Sequence, residues 1–119
     1  MPHLILEHSS NIKQFDYEML FSDYHQILSE YADIESCKSR ALVSENFLVG
    51  SGSDRSSFIH LQLFLMPGRS ESTKAEISQK LLNHTKTVLL SILKEQNLST
   101  SLSVSIEDLP SYRKMILNS

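Results

Sequence analysis

Phe58-Ile59-His60-Leu61-Gln62-Leu63-Phe64-Leu65-Met66 is the most strand-like run in the chain, and Pro67-Gly68-Arg69-Ser70 ends it. Aromatic and aliphatic side chains dominate the run, as suits a pleated, half-buried surface. Proline cannot donate to a sheet ladder, and the serine that follows is able to cap a helix by accepting from a free backbone N–H. A strand is therefore expected over 58–66 and a helix from Ser70. That helix carries Ile77, Leu81, Val88, Leu89, Ile92 and Leu93 as one stripe and Lys74, Glu76, Lys80, Lys86 and Glu95 on its solvated side, with Asn97 as its stop. Upstream, Gly50-Ser51-Gly52-Ser53-Asp54 is turn chemistry. Before it, Cys37 to Val49 changes to a period of two, with Lys38, Arg40 and Leu42 on one face and Cys37, Ser39, Ala41 and Val43 on the other. This pattern predicts a second strand joined to the run by a hairpin.

Outward from this centre, Pro2 to His8 reads as a first strand around Leu4, Ile5 and Leu6. After the polar break at Ser9-Ser10-Asn11, Phe15, Met19, Leu20, Tyr24, Ile27, Leu28 and Tyr31 recur at helical spacing, with Asp16 as the cap. Leu102 to Leu109 makes the last strand, with Leu102, Val104 and Ile106 inward, Ser101, Ser103 and Ser105 outward, and Pro110 as its end. The order is β-α-β-β-α-β, an α+β fold. Each strand–helix–strand half is expected to make a right-handed crossover between parallel strands, giving a four-stranded mixed sheet with both helices on one face. The other face is expected to be apolar as well and to be covered by oligomerisation.

The 119 residues suit a single domain, 1–119, and the 40% of apolar residues suffice for a core without covalent staples. Cys37 is the lone cysteine, and Cys, His, Asp and Glu do not recur at metal-site spacings, so no metal is expected and a reducing cytoplasm fits. A net charge of -3 argues against nucleic-acid binding. No window approaches the roughly 20 apolar residues that span a bilayer, so no membrane association is expected. His3, His8, His25, His60 and His84 have no nucleophile or acidic partner at a recognisable spacing.

The opening Met1-Pro2-His3-Leu4-Ile5-Leu6-Glu7-His8-Ser9-Ser10-Asn11-Ile12 resembles the start of the 5-carboxymethyl-2-hydroxymuconate delta-isomerase family of the tautomerase superfamily. Cys37-Lys38-Ser39-Arg40-Ala41 is similar to that family's Arg-x-Arg-Ala segment. Phe58-Ile59-His60-Leu61 and Gly68-Arg69-Ser70 are similar to its Phe-Val-His strand and Gly-Arg-Ser turn. Ser103 to Leu109 and Ser111-Tyr112-Arg113-Lys114 resemble its last strand and Ser-Tyr-Lys-Arg tail. The order and spacing of these anchors along nearly the whole chain carry the resemblance, since no one of them is specific.

The resemblance implies a homotrimer packed through its sheets, with the active site around the N-terminal proline. Pro2 is then the catalytic base, and Arg69, Arg40 and Lys38 bind the substrate. An isomerase is implied that moves a double bond in an unsaturated hydroxy-dicarboxylate or its carboxymethyl derivative, such as 5-carboxymethyl-2-hydroxymuconate, with no cofactor. An unperturbed α-amine titrates near ~8, and burial or nearby cations lower that value, so a terminal proline amine can be neutral and basic near physiological pH. Arg69 precedes a helix N-terminus, where a carboxylate meets both a guanidinium and free N–H groups. Taken alone, Pro2 reads as a residue that merely permits methionine excision and Arg69 as a solvated turn residue.

The sequence departs from the family at Lys38, where arginine is expected. Lysine lacks the planar two-point grip on a carboxylate. A phenylpyruvate-type keto–enol tautomerase, needing one anchoring cation, is the alternative within the fold, and a catalytically inactive trimeric binding protein is the alternative outside catalysis. Ala32-Asp33 and Ser36-Cys37 also replace the family's Phe-Pro and Gly-Ile. The proline mechanism requires that Met1 be removed. Intact-mass spectrometry of the purified protein is expected to show a mass short of one methionine residue; retention of Met1 excludes Pro2 as the base.

Overall fold

The computed structural model describes residues 2–118 and contains β1 (His3–Ser9), α1 (Tyr17–Ala32), β2 (Lys38–Ser44), β3 (Ser56–Leu65), α2 (Glu71–Glu95) and β4 (Ser99–Asp108). Met1, whose excision the sequence leads one to expect, lies outside the described residues, as does Ser119. Both helices start where a side chain satisfies an orphan N–H. Asp16 accepts from Met19 N–H at 3.1 Å and Ser70 from Thr73 N–H at 3.2 Å. α2 ends with Asn97 in the left-handed region (φ 55°). There Asn97 N–H donates to Lys94 C=O and Leu98 N–H to Leu93 C=O, both at 3.0 Å, the paired bonds of a Schellman end.

The strands lie in the order β2-β1-β3-β4. β1 is parallel to β2, antiparallel to β3, and β3 is parallel to β4. Each strand–helix–strand half is thus a parallel pair, as expected, but the expected hairpin is absent. β2 and β3 are not neighbours, because β1 lies between them and residues 45–55 carry the chain across its end. A hairpin would leave β1 on an edge, whereas Leu4 and Leu6 are fully buried and its backbone is bonded on both sides. β2 is also shorter than its sequence suggests. It stops at Ser44, whose carbonyl accepts from Ser10 N–H at 2.9 Å, and Gly50 and Gly52 then turn with positive φ.

One sheet face is covered by both helices. Leu4, Leu6, Ile59, Leu61, Leu63 and Leu65 from that face form a single cluster with Leu20, Tyr24 and Leu28 of α1 and Ile77, Leu81 and Leu89 of α2. The helices are tied by a buried bond between Tyr24 Oη and Thr85 Oγ1 at 2.6 Å. Thr85 gives its proton to Leu81 C=O, so the tyrosine is the donor, and burial pushes the Tyr24 pKa up to about 12. No helix among the described residues is long and apolar enough to cross a membrane.

The opposite face corrects a second expectation. Its rows run Lys38–His3–Phe64–Glu107, Arg40–Ile5–Gln62–Ser105 and Leu42–Glu7–His60–Ser103, so it is mixed rather than apolar. Its polar groups bond one another: His60 reaches Ser103 Oγ at 2.7 Å and Ser105 Oγ at 3.2 Å, and Ser44 Oγ donates to Glu7 at 2.5 Å. Cross-strand neighbours supply partners that spacing along the chain could not reveal. The same holds for His84, which meets Asp23 Oδ2 at 2.8 Å between the two helices.

His8 is the buried histidine, 2% exposed on the helix side of the sheet. Its Nδ1 faces Ser9 C=O at 2.8 Å, an acceptor, so Nδ1 carries the proton and Nε2 accepts from Tyr17 Oη at 2.6 Å. Burial, joined by Lys13 and opposed by the Ser9 bond, holds the pKa below the ordinary 6.5. The neutral form is thus favoured in the folded state. Its contribution to stability is fully present above the unfolded pKa and is lost as pH falls from there through the lower folded value. His3 and His25, also shifted down mainly by burial, add with the same sign. Urea midpoints are expected to fall between about pH 7 and pH 5, and His8→Gln to flatten part of that slope; an unchanged slope in the variant contradicts this assignment.

Candidate active site

Pro2 enters β1, and its carbonyl accepts from Lys38 N–H at 2.9 Å, so the first residue of β2 anchors the residue before β1. β3 runs the opposite way and ends at Leu65, beside the start of β1, and the chain then turns through Gly68 at φ 122°. That turn brings Arg69 back towards α1. Its Nη2 donates to Ala32 C=O at 2.8 Å, at the helix's last residue.

The end of α1 is itself pinned. Asp33 adopts the left-handed conformation (φ 53°, ψ 31°) with its N–H on Leu28 C=O, and Ile34 N–H bonds the same carbonyl at 3.1 Å. Ile34 is 6% exposed and plugs into the core, so the segment after the helix forms a fixed wall. Between this wall and the sheet end lies an open cleft of about 360 Å³ lined by Pro2 and Arg69 together with Asp33, Ile34, Glu35 and Ser36, and by Met66 from the end of β3.

The structure therefore brings Pro2 and Arg69 together, although 67 positions separate them in the sequence. Lys38 and Arg40 are not brought into that lining. They stand exposed on the mixed sheet face, in register with His3 and Ile5, Lys38 at the sheet end where the cleft lies and Arg40 one row further along. Their charge is felt at His3, whose pKa is pushed down by burial first and then by these two cations. The tail returns to the same end, with Tyr112 edge-on to His3 at 5.6 Å.

Sequence reasoning missed the acidic wall. Asp33 was visible as a departure from the family pattern, but nothing in the spacing linked it or Glu35 to Pro2. Among the described residues no group of three His, Cys, Asp or Glu is placed to hold a metal ion. A second cavity of about 260 Å³ lies between α2 and β4 and is almost wholly apolar, with Lys86 as its one charged side chain. It holds no group suited to proton transfer.

The arrangement offers a backbone nitrogen at position 2, a guanidinium whose direction is set by a helix carbonyl, and an opening to solvent. A guanidinium so placed can grip a carboxylate in the cleft, and the nitrogen of residue 2 can accept a proton only as a free amine, since an acylated nitrogen is not a base. Arg69→Ala is expected to remove the bond to Ala32 and lower stability by about 1 kcal/mol, read by urea denaturation; no loss means that α1 ends equally well without it.

The family described as 5-carboxymethyl-2-hydroxymuconate isomerase matches residues 2–117. Among solved structures, a 5-carboxymethyl-2-hydroxymuconate isomerase from Deinococcus radiodurans R1 is 23% identical with a TM-score of 0.82, over 95% of this chain and 88% of that one. A 5-carboxymethyl-2-hydroxymuconate delta-isomerase is 17% identical with a TM-score of 0.81, over 99% and 89%. A fused 4-OT solved as a symmetric trimer is 13% identical with a TM-score of 0.70, over 98% and 92%. At these identities the structures establish a shared fold. No curated protein matches the chain.

Proposed function

The chain belongs to the 5-carboxymethyl-2-hydroxymuconate isomerase family, and from that membership we propose that it moves a proton within an unsaturated 2-hydroxy or 2-oxo acid, with Pro2 as the base. The observation that carries the proposal is that Pro2 and Arg69 line one cleft. With Met1 removed, the secondary amine of Pro2 takes a proton from the dienol, or from carbon beside the carbonyl, and returns it further along the conjugated chain. The double bond shifts and no atom is lost. Arg69 holds the substrate carboxylate, so charge that develops on the dienolate oxygen lies close to a fixed cation. Proton transfer within one molecule needs neither metal nor organic cofactor.

For 5-carboxymethyl-2-hydroxymuconate, which carries three carboxylates, Lys38 and Arg40 are the proposed holders of those that Arg69 does not take. A keto–enol tautomerase of the phenylpyruvate type is the second reading, and one observation favours it. Among the described residues lining the cleft, Arg69 is the only cation.

The active unit is proposed to be a homotrimer of this single domain, joined through its sheets. The radius of gyration of 15.3 Å exceeds the about 13–14 Å of a compact chain of this length, and the 42 × 38 × 25 Å extents are those of a two-layer slab. Such a slab leaves one sheet face without cover, and that face carries Ile5, Phe58 and Phe64 among its polar groups. The trimeric state of the fused 4-OT relative supports the same assembly.

The decisive assay follows ketonisation of 2-hydroxymuconate-type and phenylpyruvate-type substrates. Pro2→Ala is expected to lose about 10²-fold or more in kcat, and Arg69→Ala to raise KM and lower kcat together, since the guanidinium holds the carboxylate and lies close to the developing charge. Equal activity in both variants and the wild type rules the mechanism out.

A further inference from the structure

The charges around Pro2 are unbalanced. Of the three charged side chains lining the cleft, Arg69 is positive and Asp33 and Glu35 are negative. None of the ion pairs found among the described residues involves any of the three. The guanidinium bonds the Ala32 carbonyl and no carboxylate, so its other donors are left for a ligand, while the two carboxylates stand exposed on the opposing wall with no cation paired to them among the described residues. The backbone of Asp33 is held in the left-handed conformation by the bond from its N–H to Leu28, which fixes where its side chain leaves the wall.

We infer that Asp33 and Glu35 are specificity-determining residues that set this cleft for a substrate with one carboxylate, a 2-oxo or 2-hydroxy monoacid whose far end is uncharged. The inference rests on the reading of Pro2 as base and Arg69 as carboxylate anchor. One carboxylate on Arg69 leaves the remainder of the substrate lying along the wall that carries Asp33 and Glu35. A second carboxylate there meets like charge, whereas an uncharged chain avoids it and can lie against Met66. Lys38 and Arg40 are not part of this lining and stand on the other sheet face, in register with His3 and Ile5.

The test uses a matched pair of substrates: 2-hydroxymuconate and 2-hydroxyhexa-2,4-dienoate, in which a methyl group replaces the distal carboxylate. Both are assayed with the wild type, with Asp33→Asn/Glu35→Gln and with Pro2→Ala. Asparagine tolerates the left-handed conformation, so the helix end is kept. The wild type is expected to have the higher kcat/KM for the monoacid. The double variant is expected to raise kcat/KM for the diacid by about tenfold at low salt through KM, with a smaller gain for the singly charged monoacid, so that the substrate ratio shifts towards the diacid, and with both gains shrinking as salt screens the wall. A wild-type preference for the diacid, or the same substrate ratio in wild type and double variant, overturns the role of the two acids while leaving Pro2 chemistry in place. Turnover that survives Pro2→Ala unchanged, or no turnover of either compound by the wild type, overturns the underlying reading and this inference with it.

Discussion

Strand β1 is hydrogen-bonded along both edges, parallel to β2 and antiparallel to β3, and this double pairing fixes where the start of the chain must lie. A terminal residue on an edge strand would fray, since few contacts hold it. Here the carbonyl of Pro2 is already tied to Lys38, and Leu4 and Leu6 are sunk in the core just beyond. Antiparallel pairing brings the end of β3 to the same place, so the turn that carries Arg69 must emerge beside Pro2. The cleft is a consequence of sheet order. Had β2 and β3 formed a hairpin, the chain start would have been left on a sheet edge.

Local physical chemistry made the helices legible. The caps Asp16 and Ser70 and the left-handed stop at Asn97 act within a few residues of themselves, and all three work in the structure as their side chains dictate. The period of two placed Lys38 and Arg40 on one face for the same reason. Sheet order was not legible, because Gly50 to Asp54 can turn a hairpin or carry a crossing equally well, and the choice depends on which strand fills the centre. The acidic wall was also hidden. Asp33 and Glu35 face Pro2 only because α1 ends over the sheet where it does, and no spacing within 30 to 37 encodes that distance.

The uncovered sheet face shows how polar groups can be accommodated in a surface suited to association. His60 has both ring nitrogens against serine hydroxyls, and Glu7 receives the hydroxyl of Ser44. Groups satisfied within the chain bring no unpaired donors to a contact and so lower the cost of removing water from it. Reading that face as simply apolar overlooked that cross-strand pairing, with partners about 5 Å apart, is itself a source of hydrogen bonds.

Arg69 joins the fold to the site. A helix C-terminus carries partial negative charge and is commonly balanced by a basic residue in its last turn, but α1 has none there. Arg69 supplies that charge from another part of the chain, through a single Nη2–H bond to Ala32. Guanidinium has five N–H donors in a rigid plane, so one bond narrows the directions open to the whole group and leaves the others unspent. Lysine in its place would lack that plane: its three donors rotate about a flexible stem, and a bond to Ala32 would fix no direction for a carboxylate. The structural bond and the proposed binding role are therefore complementary. Because the bond to Ala32 already restrains the guanidinium in the cleft that Pro2 lines, less of its freedom is left to lose when a carboxylate binds.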